Sequence, residues 1–372
     1  MQNDLTRRRL CTALLATGAG LIVPGVRAGN PQSGSCQTLA ALLEAEHQPG
    51  SAAVVVDRGR ITAMGTAGRR DDASNERVGL HTAFEIGSIT KVFTALLVFR
   101  LQQRGLLDVD APIGRYLDAL PAAWQPISLT QLLSHASGIP NYLNESNFLQ
   151  LMPTDPVPRE LVAMVAKAPL DFAPGTRHAY SNTNFILLGL AIEQVTGTDY
   201  WRFLQDEILQ PLEMGDAGPR RADERRSVAQ GHLHRDGRWL DPPITAPGSA
   251  WAAGGLLASI DDMARFAIAL DRGKLLPDAL LRQMWRDTLL ADGTTAGWGA
   301  GWELADGGRV VGHGGGTAGF TGYLRHVPSL RRTVVVLINR AGDIVAQGIA
   351  ERLDRGTRAC QGRADRLQSQ PQ

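Results

Sequence analysis

The sequence predicts an α/β fold of the α+β kind, one sheet assembled from both ends of the chain with a helical region inserted between them. Three observations carry this. Ala52-Ala53-Val54-Val55-Val56 and Arg60-Ile61-Thr62-Ala63-Met64 flank Asp57-Arg58-Gly59, a strand–turn–strand signal. β-rich segments return only late, at Arg309-Val310-Val311, Phe320 to Val327 and Thr333 to Ile338, separated by Gly or Pro. The long stretch between is dominated by apolar residues at helical spacing. The boundaries so drawn are sheet regions near 37–85 and 298–358, and a helical region near 88–290.

Taken in order, residues 1–28 read as an export signal rather than as fold. Arg7-Arg8-Arg9 precede an apolar run from Leu10 to Val23, and Val26-Arg27-Ala28 offers small residues for cleavage. Thr6 to Leu10 fits a twin-arginine signal without its usual aromatic, and an ordinary secretory signal fits equally. Either route places residues 29–372 in the periplasm or outside the cell as one domain, with no transmembrane segment once the signal is removed. Gln37 to Glu46 has helical spacing, and Ser88 to Gln103 forms a helix ending at Gly105. Thr130 to Ser134, Arg159 to Ala166, Asn182 to Val195 and Tyr200 to Gln210 continue the helical pattern. Asp216 to Gly248, dense in Arg, Asp, Pro and Gly, is expected to be an irregular surface segment. Ser249 to Leu270 begins as a small-residue loop and closes as a helix, and a last helix spans about Asp343 to Leu353. Asn141 to Arg159, rich in Asn and Pro, fits either the rim or lid of a site or an inert loop.

Of 372 residues, 44% are hydrophobic and 20% charged, an ordinary globular composition. A net charge of +1 supplies no field to draw in nucleic acid or an anionic membrane. Cys11 leaves with the signal. Cys36 and Cys360 remain, either as a disulfide joining the ends or as two unpaired small residues.

Lysine occurs only at Lys91, Lys167 and Lys274, and arginine supplies every other basic side chain that is not histidine. Lys91 lies in a helix that is apolar almost all round (Ile89, Val92, Phe93, Leu96, Leu97, Phe99), so the helix should be buried. Ser88 is three residues earlier and shares a face with it. A desolvated lysine can give up its proton, which arginine cannot, and a serine needs such a base to become a nucleophile. The helix N-terminus adds backbone N–H groups suited to developing negative charge. Alone, Ser-x-x-Lys is equally an N-cap serine and a snorkelling lysine. A second element, Tyr180-Ser181-Asn182, stands on a turn before a helix and can present a hydroxyl and an amide to one cleft. Asn182 also suits a plain helix cap. The third, Gly312-His313-Gly314-Gly315-Gly316-Thr317, follows a strand and suits either a ligand that approaches the backbone closely or a plain flexible turn.

In this order and separation the three elements resemble the serine β-lactamase and penicillin-binding-protein superfamily, in the branch of class C β-lactamases, D-alanyl-D-alanine carboxypeptidases and related esterases. The resemblance runs from about Pro49 to Asn339 and includes Leu132 to Pro140, Pro211 to Met214 and Gly254 to Ser259. It implies a mostly antiparallel sheet with helices on both faces and a groove between sheet and helical region. It implies Ser88 as the acylated nucleophile, Lys91 as the adjacent proton acceptor and Tyr180 as general base and acid. Asn182 would bind the substrate amide, and His313 and Gly315 would line the third motif. The N–H groups of Ser88 and Gly316 would form an oxyanion hole. No cofactor or metal is implied, and the partner is a small or peptide-like acyl substrate. His-Gly-Gly replaces the Lys-Thr-Gly of true β-lactamases and removes the cation and hydroxyl that grip a carboxylate. An esterase or D-amino-acid peptidase is therefore expected ahead of a β-lactamase, with a weakly catalytic penicillin-binding sensor as the non-enzymatic alternative.

Two rivals fail on the residues. His313 to Gly316 also looks like the oxyanion loop of α/β-hydrolases, but no serine here lies in the G-x-S-x-G elbow that fold requires. His232 and His234 lack further metal-ligand spacing and are expected in an exposed loop.

Overall fold

The computed structural model describes residues 38–342 and 346–368, with side chains placed up to 358. The export segment and Cys36 fall outside the described residues, as does the side chain of Cys360.

Twelve strands form among the described residues. β1 (Gly50–Asp57) and β2 (Arg60–Gly68) come from the N-terminal part, followed by β3 (Ala83–Glu85). β4 (Gly218–Pro219), β5 (His232–Arg235), β6 (Arg238–Leu240) and β7 (Leu256–Ser259) are short. β8 (Glu303–Ala305), β9 (Val310–Gly316), β10 (Thr321–Val327), β11 (Arg332–Ile338) and β12 (Arg340–Gly342) close the chain's strand content. The main sheet runs β2-β1-β11-β10-β9-β8, all antiparallel, so β1 from one end of the sequence pairs along its length with β11 from the other. Val54 faces Val335, and Leu324 faces both Val335 and His313 across neighbouring ladders.

Side-chain alternation decides what each face meets. Ala53, Val55, Val334, Val336 and Ile338 point to one side and bury Leu39 and Leu43 of α1 (Leu39–Glu44). The same cluster takes in Ile349, Ala350 and Leu353 of the last helix (Ala346–Gln368). Ala52, Val54, Val56, Val335 and Leu337 point the other way, into the larger core shared with the helical region.

That region contributes α2 (Thr90–Gln103), α3 (Leu129–Leu133), α4 (Phe148–Leu151), α5 (Pro158–Ala163), α6 (Asn182–Thr196), α7 (Tyr200–Leu204), α8 (Pro247–Gly254), α9 (Ile260–Asp271) and α10 (Asp278–Met284), with α11 being the last helix. α2 is the expected buried helix, its residues from Thr90 to Phe99 without exception inaccessible. Capping boxes start α3 (Ser128 with Gln131) and α9 (Ser259 with Asp262).

Four local expectations are corrected. The glycine strip does not follow the strand but continues it, because β10 pairs with it as far as Gly316. The loop expected from Ser249 is α8 followed by β7, whose Leu256 to Ser259 is held between β3 and β4. Asp216 to Gly248 carries β5 and β6, so His232 and His234 lie half-buried on a strand rather than in an exposed loop. The last helix begins at Ala346 and extends to Gln368, well past Leu353. The inserted region is thus helical apart from four short strands.

Candidate active site

Ser88 occupies a single 3₁₀ turn, Gly87–Ile89, that leads directly into α2. The turn is possible because residue 87 has φ +52°, a left-handed conformation natural to glycine. β9 presses against this turn. A Cβ on Gly315 would overlap the carbonyl oxygen of Ile86, and one on Gly87 would stand 2.6 Å from the Gly316 nitrogen. Small residues on both sides therefore let the strand lie beside the serine. Gly316 itself is exposed.

Lys91 is fully inaccessible. Its Nζ lies 3.2 Å from Ser88 Oγ, 2.8 Å from Asn182 Oδ1 and 2.6 Å from the Ala253 carbonyl oxygen. Burial drives the amine's pKa well below its usual value, favouring the neutral form. A neutral amine has two N–H bonds and one lone pair. With Asn182 and Ala253 accepting the two hydrogens, the lone pair is left for the Ser88 hydroxyl.

Each partner is fixed from a different element. Asn182 is the first residue of α6, and Asn141 Oδ1 accepts from both its backbone N–H (2.9 Å) and its side-chain amide (3.3 Å). The Ala253 carbonyl is delivered by a break in α8, where Trp251 takes φ 35° and ψ −124°. Beyond that break, Ala252 accepts from Thr94 Oγ1 at 2.7 Å and Ala253 accepts from Lys91.

Tyr180 brings its ring centroid to 4.8 Å from Lys91 Nζ. Its hydroxyl is buried and meets no partner in full hydrogen-bond geometry, although Ser88 lies near enough to oppose the upward shift that burial imposes on the phenol. His313 stands beside it, centroids 6.2 Å apart, and is inaccessible. Its Nδ1 contacts the Gly314 carbonyl at 2.6 Å, so Nδ1 carries the proton and Nε2 keeps a lone pair. Burial lowers the imidazole's pKa to about 3.

The structure brings together Ser88, Lys91, Tyr180, Asn182, His313, Gly315 and Gly316. It adds Asn141, His135, Trp298 and the Ala253 carbonyl, which sequence reasoning did not place here. Asn141 had a signal in its Asn-rich segment; a backbone carbonyl leaves none. No group of three His, Cys, Asp or Glu able to hold a metal occurs among the described residues.

A family model described as Beta-lactamase matches residues 37–358. The chain belongs to the beta-lactamase family. It is 30% identical over 321 residues to Penicillin-binding protein 4 of Amycolatopsis lactamdurans, covering 80% of this chain and 83% of that one. Among solved structures, a D-stereospecific amidohydrolase from Streptomyces sp. is 28% identical with a TM-score of 0.70, over 84% of this chain and 96% of that one. The octameric penicillin-binding protein homologue from Pyrococcus abyssi is 27% identical with a TM-score of 0.73, over 83% and 73%. Family and neighbours make this chain a serine hydrolase of the β-lactamase and penicillin-binding-protein type.

Proposed function

We propose that the protein hydrolyses a small ester or a D-amino-acid amide or peptide through an acyl-enzyme on Ser88, and that the mature chain works outside the cytoplasm. The observation that carries the mechanism is Lys91, whose two hydrogens are committed to Asn182 and Ala253 while its lone pair faces Ser88. Lys91 takes the Ser88 proton as Oγ bonds to the substrate carbonyl carbon. The oxyanion is received by the N–H groups of Ser88 and Gly316, a donor of this kind being worth roughly 3 kcal/mol of barrier. The bond to the leaving group then breaks, and the leaving group takes the proton of the Tyr180 hydroxyl. That phenol is available as a donor because burial keeps it protonated. The Lys91 ammonium returns a proton to Tyr180. Water repeats the sequence on the acyl ester, giving the free acid and Ser88 restored.

Substrate preference follows from the third motif. His313 is neutral and offers a lone pair where β-lactamases place a lysine, so the site has no cation there to bind a carboxylate. The amidohydrolase likeness supports the D-amino-acid reading.

The test is intact mass after treatment with a fluorophosphonate, paired with turnover of nitrophenyl acetate, D-phenylalanine amide and a chromogenic cephalosporin. The expected result is one adduct on wild type, none on Ser88→Ala, and turnover of the first two substrates ahead of the third. A folded protein that takes no adduct would overturn the proposal in favour of a sensor, and dominant cephalosporin turnover would select a β-lactamase.

A further inference from the structure

We infer that His135 is a positioning residue for Tyr180, acting through the two peptide groups on either side of it. His135 is fully buried at the end of α3, at φ 57°, a left-handed backbone that histidine and asparagine tolerate better than most side chains. Its carbonyl oxygen accepts from the N–H of Ala179 at 2.9 Å. Its ring Nδ1 accepts from the N–H of Ser181 at 3.2 Å. One residue thus grips both neighbours of Tyr180, and its ring packs against the tyrosine ring at 4.2 Å between centroids.

The tautomer follows. A nitrogen that accepts from an amide carries no proton, so the His135 proton is on Nε2, which is buried with no protein partner. The grip requires the neutral imidazole. Burial keeps it so by disfavouring the charged form, and the groups that face it, Lys91, His178 and His313, bring no negative charge to stabilise an imidazolium. Trp298 and Phe185 complete its surroundings at 5.3 Å each. Nothing in the acyl-transfer steps uses His135 directly. It acts by fixing where the Tyr180 hydroxyl stands relative to Ser88, and in that respect the inference rests on the proposed function.

Two substitutions separate the ring from its acceptor. His135→Phe keeps the ring and removes the Nδ1 acceptor. His135→Asn removes the ring but keeps an oxygen acceptor near the Nδ1 position and accepts the left-handed backbone. The expected result is a fall in kcat of roughly a hundredfold for His135→Phe with KM little changed, and recovery to within about fivefold of wild type for His135→Asn. If His135→Phe does not fold, His135→Ala, which adds no bulk, should show the same fall. Amide hydrogen exchange at Ser181 should accelerate at least tenfold in the acceptor-less variants and not in His135→Asn, whatever the substrate proves to be. Equal losses in His135→Phe and His135→Asn, or unchanged Ser181 exchange in His135→Phe, would overturn the inference. Failure of the serine-hydrolase reading would show separately, as wild-type protein that takes no fluorophosphonate adduct.

Discussion

At the scale of single residues, the site is organised by what burial does to charge. Lys91, Tyr180 and His313 are all pushed toward their neutral forms by removal from water. In the proposed mechanism the neutral amine accepts the serine proton and the neutral phenol donates to the leaving group. The same desolvation makes His313 a liability in acid. Its pKa falls from 6.5 in the unfolded chain to about 3 in the folded one. Above pH 6.5 both states are neutral and the full stability is present. Below it the unfolded chain takes up a proton that the folded chain refuses, so stability is lost as pH falls toward about 3. The slope contributed is up to about 1.4 kcal/mol per pH unit. In urea unfolding at pH 6 and pH 5, His313→Asn should therefore lose less stability than wild type, by about 1 kcal/mol across that interval. Equal slopes for the two proteins would mean that His313 is already accessible to protons in the fold.

The elements explain both what the sequence revealed and what it hid. Strands β1 and β11 were legible because β-branched runs alternate between two buried faces, and α2 because a helix apolar all round has nowhere to go but the core. Ser88 and Lys91 were legible together because residues three apart share a face, even though Ser88 stands on the 3₁₀ turn that leads into α2 rather than in α2 itself. β7 was not, since Leu256 to Ser259 is a strand only by virtue of β3 and β4 on either side. The glycine strip was read as lying past its strand because glycine has little intrinsic preference for one. β10 imposes the pairing, and the close approach to the Ser88 turn is the reason glycine is there. That argument predicts two different outcomes for neighbouring alanines. Gly315→Ala drives a methyl into the Ile86 carbonyl, so it should lower stability by about 2 kcal/mol and kcat/KM by roughly a hundredfold. Gly316→Ala meets nothing nearer than 4.0 Å and should leave the urea midpoint within about 0.5 kcal/mol of wild type. Equal destabilisation by both would show that strand flexibility, not the contact with Ile86, is what matters.

For the whole molecule, the question is what holds the two ends of the sequence in one sheet. Backbone pairing of β1 with β11 is one answer, and a buried arginine between them is the other. Arg332, at the start of β11, is 2% exposed. It donates to Asp57 on β1 at 3.0 Å, and to Asp354 (2.7 Å) and Thr357 (2.9 Å) on α11. One guanidinium thus ties the first strand, the eleventh and the last helix, a use that suits its fixed fork of donors. A buried ion pair of this kind gives little net stability over an apolar replacement, but removing one partner strands a charge away from water. Asp354→Ala takes away a carboxylate that also holds Arg358 and lies 3.6 Å from Arg325. It should destabilise the protein by about 3 kcal/mol in urea unfolding. Because α11 lies on the face of the sheet opposite the helical core, the loss should leave Ser88 labelling by a fluorophosphonate unchanged under native conditions. A double variant, Arg332→Met with Asp354→Leu, should recover part of that stability by replacing the two most buried charges with apolar bulk, while the more accessible Asp57 and Arg325 turn to water. If the double variant is instead weaker than Asp354→Ala alone, the charged network contributes more than the apolar packing that replaces it.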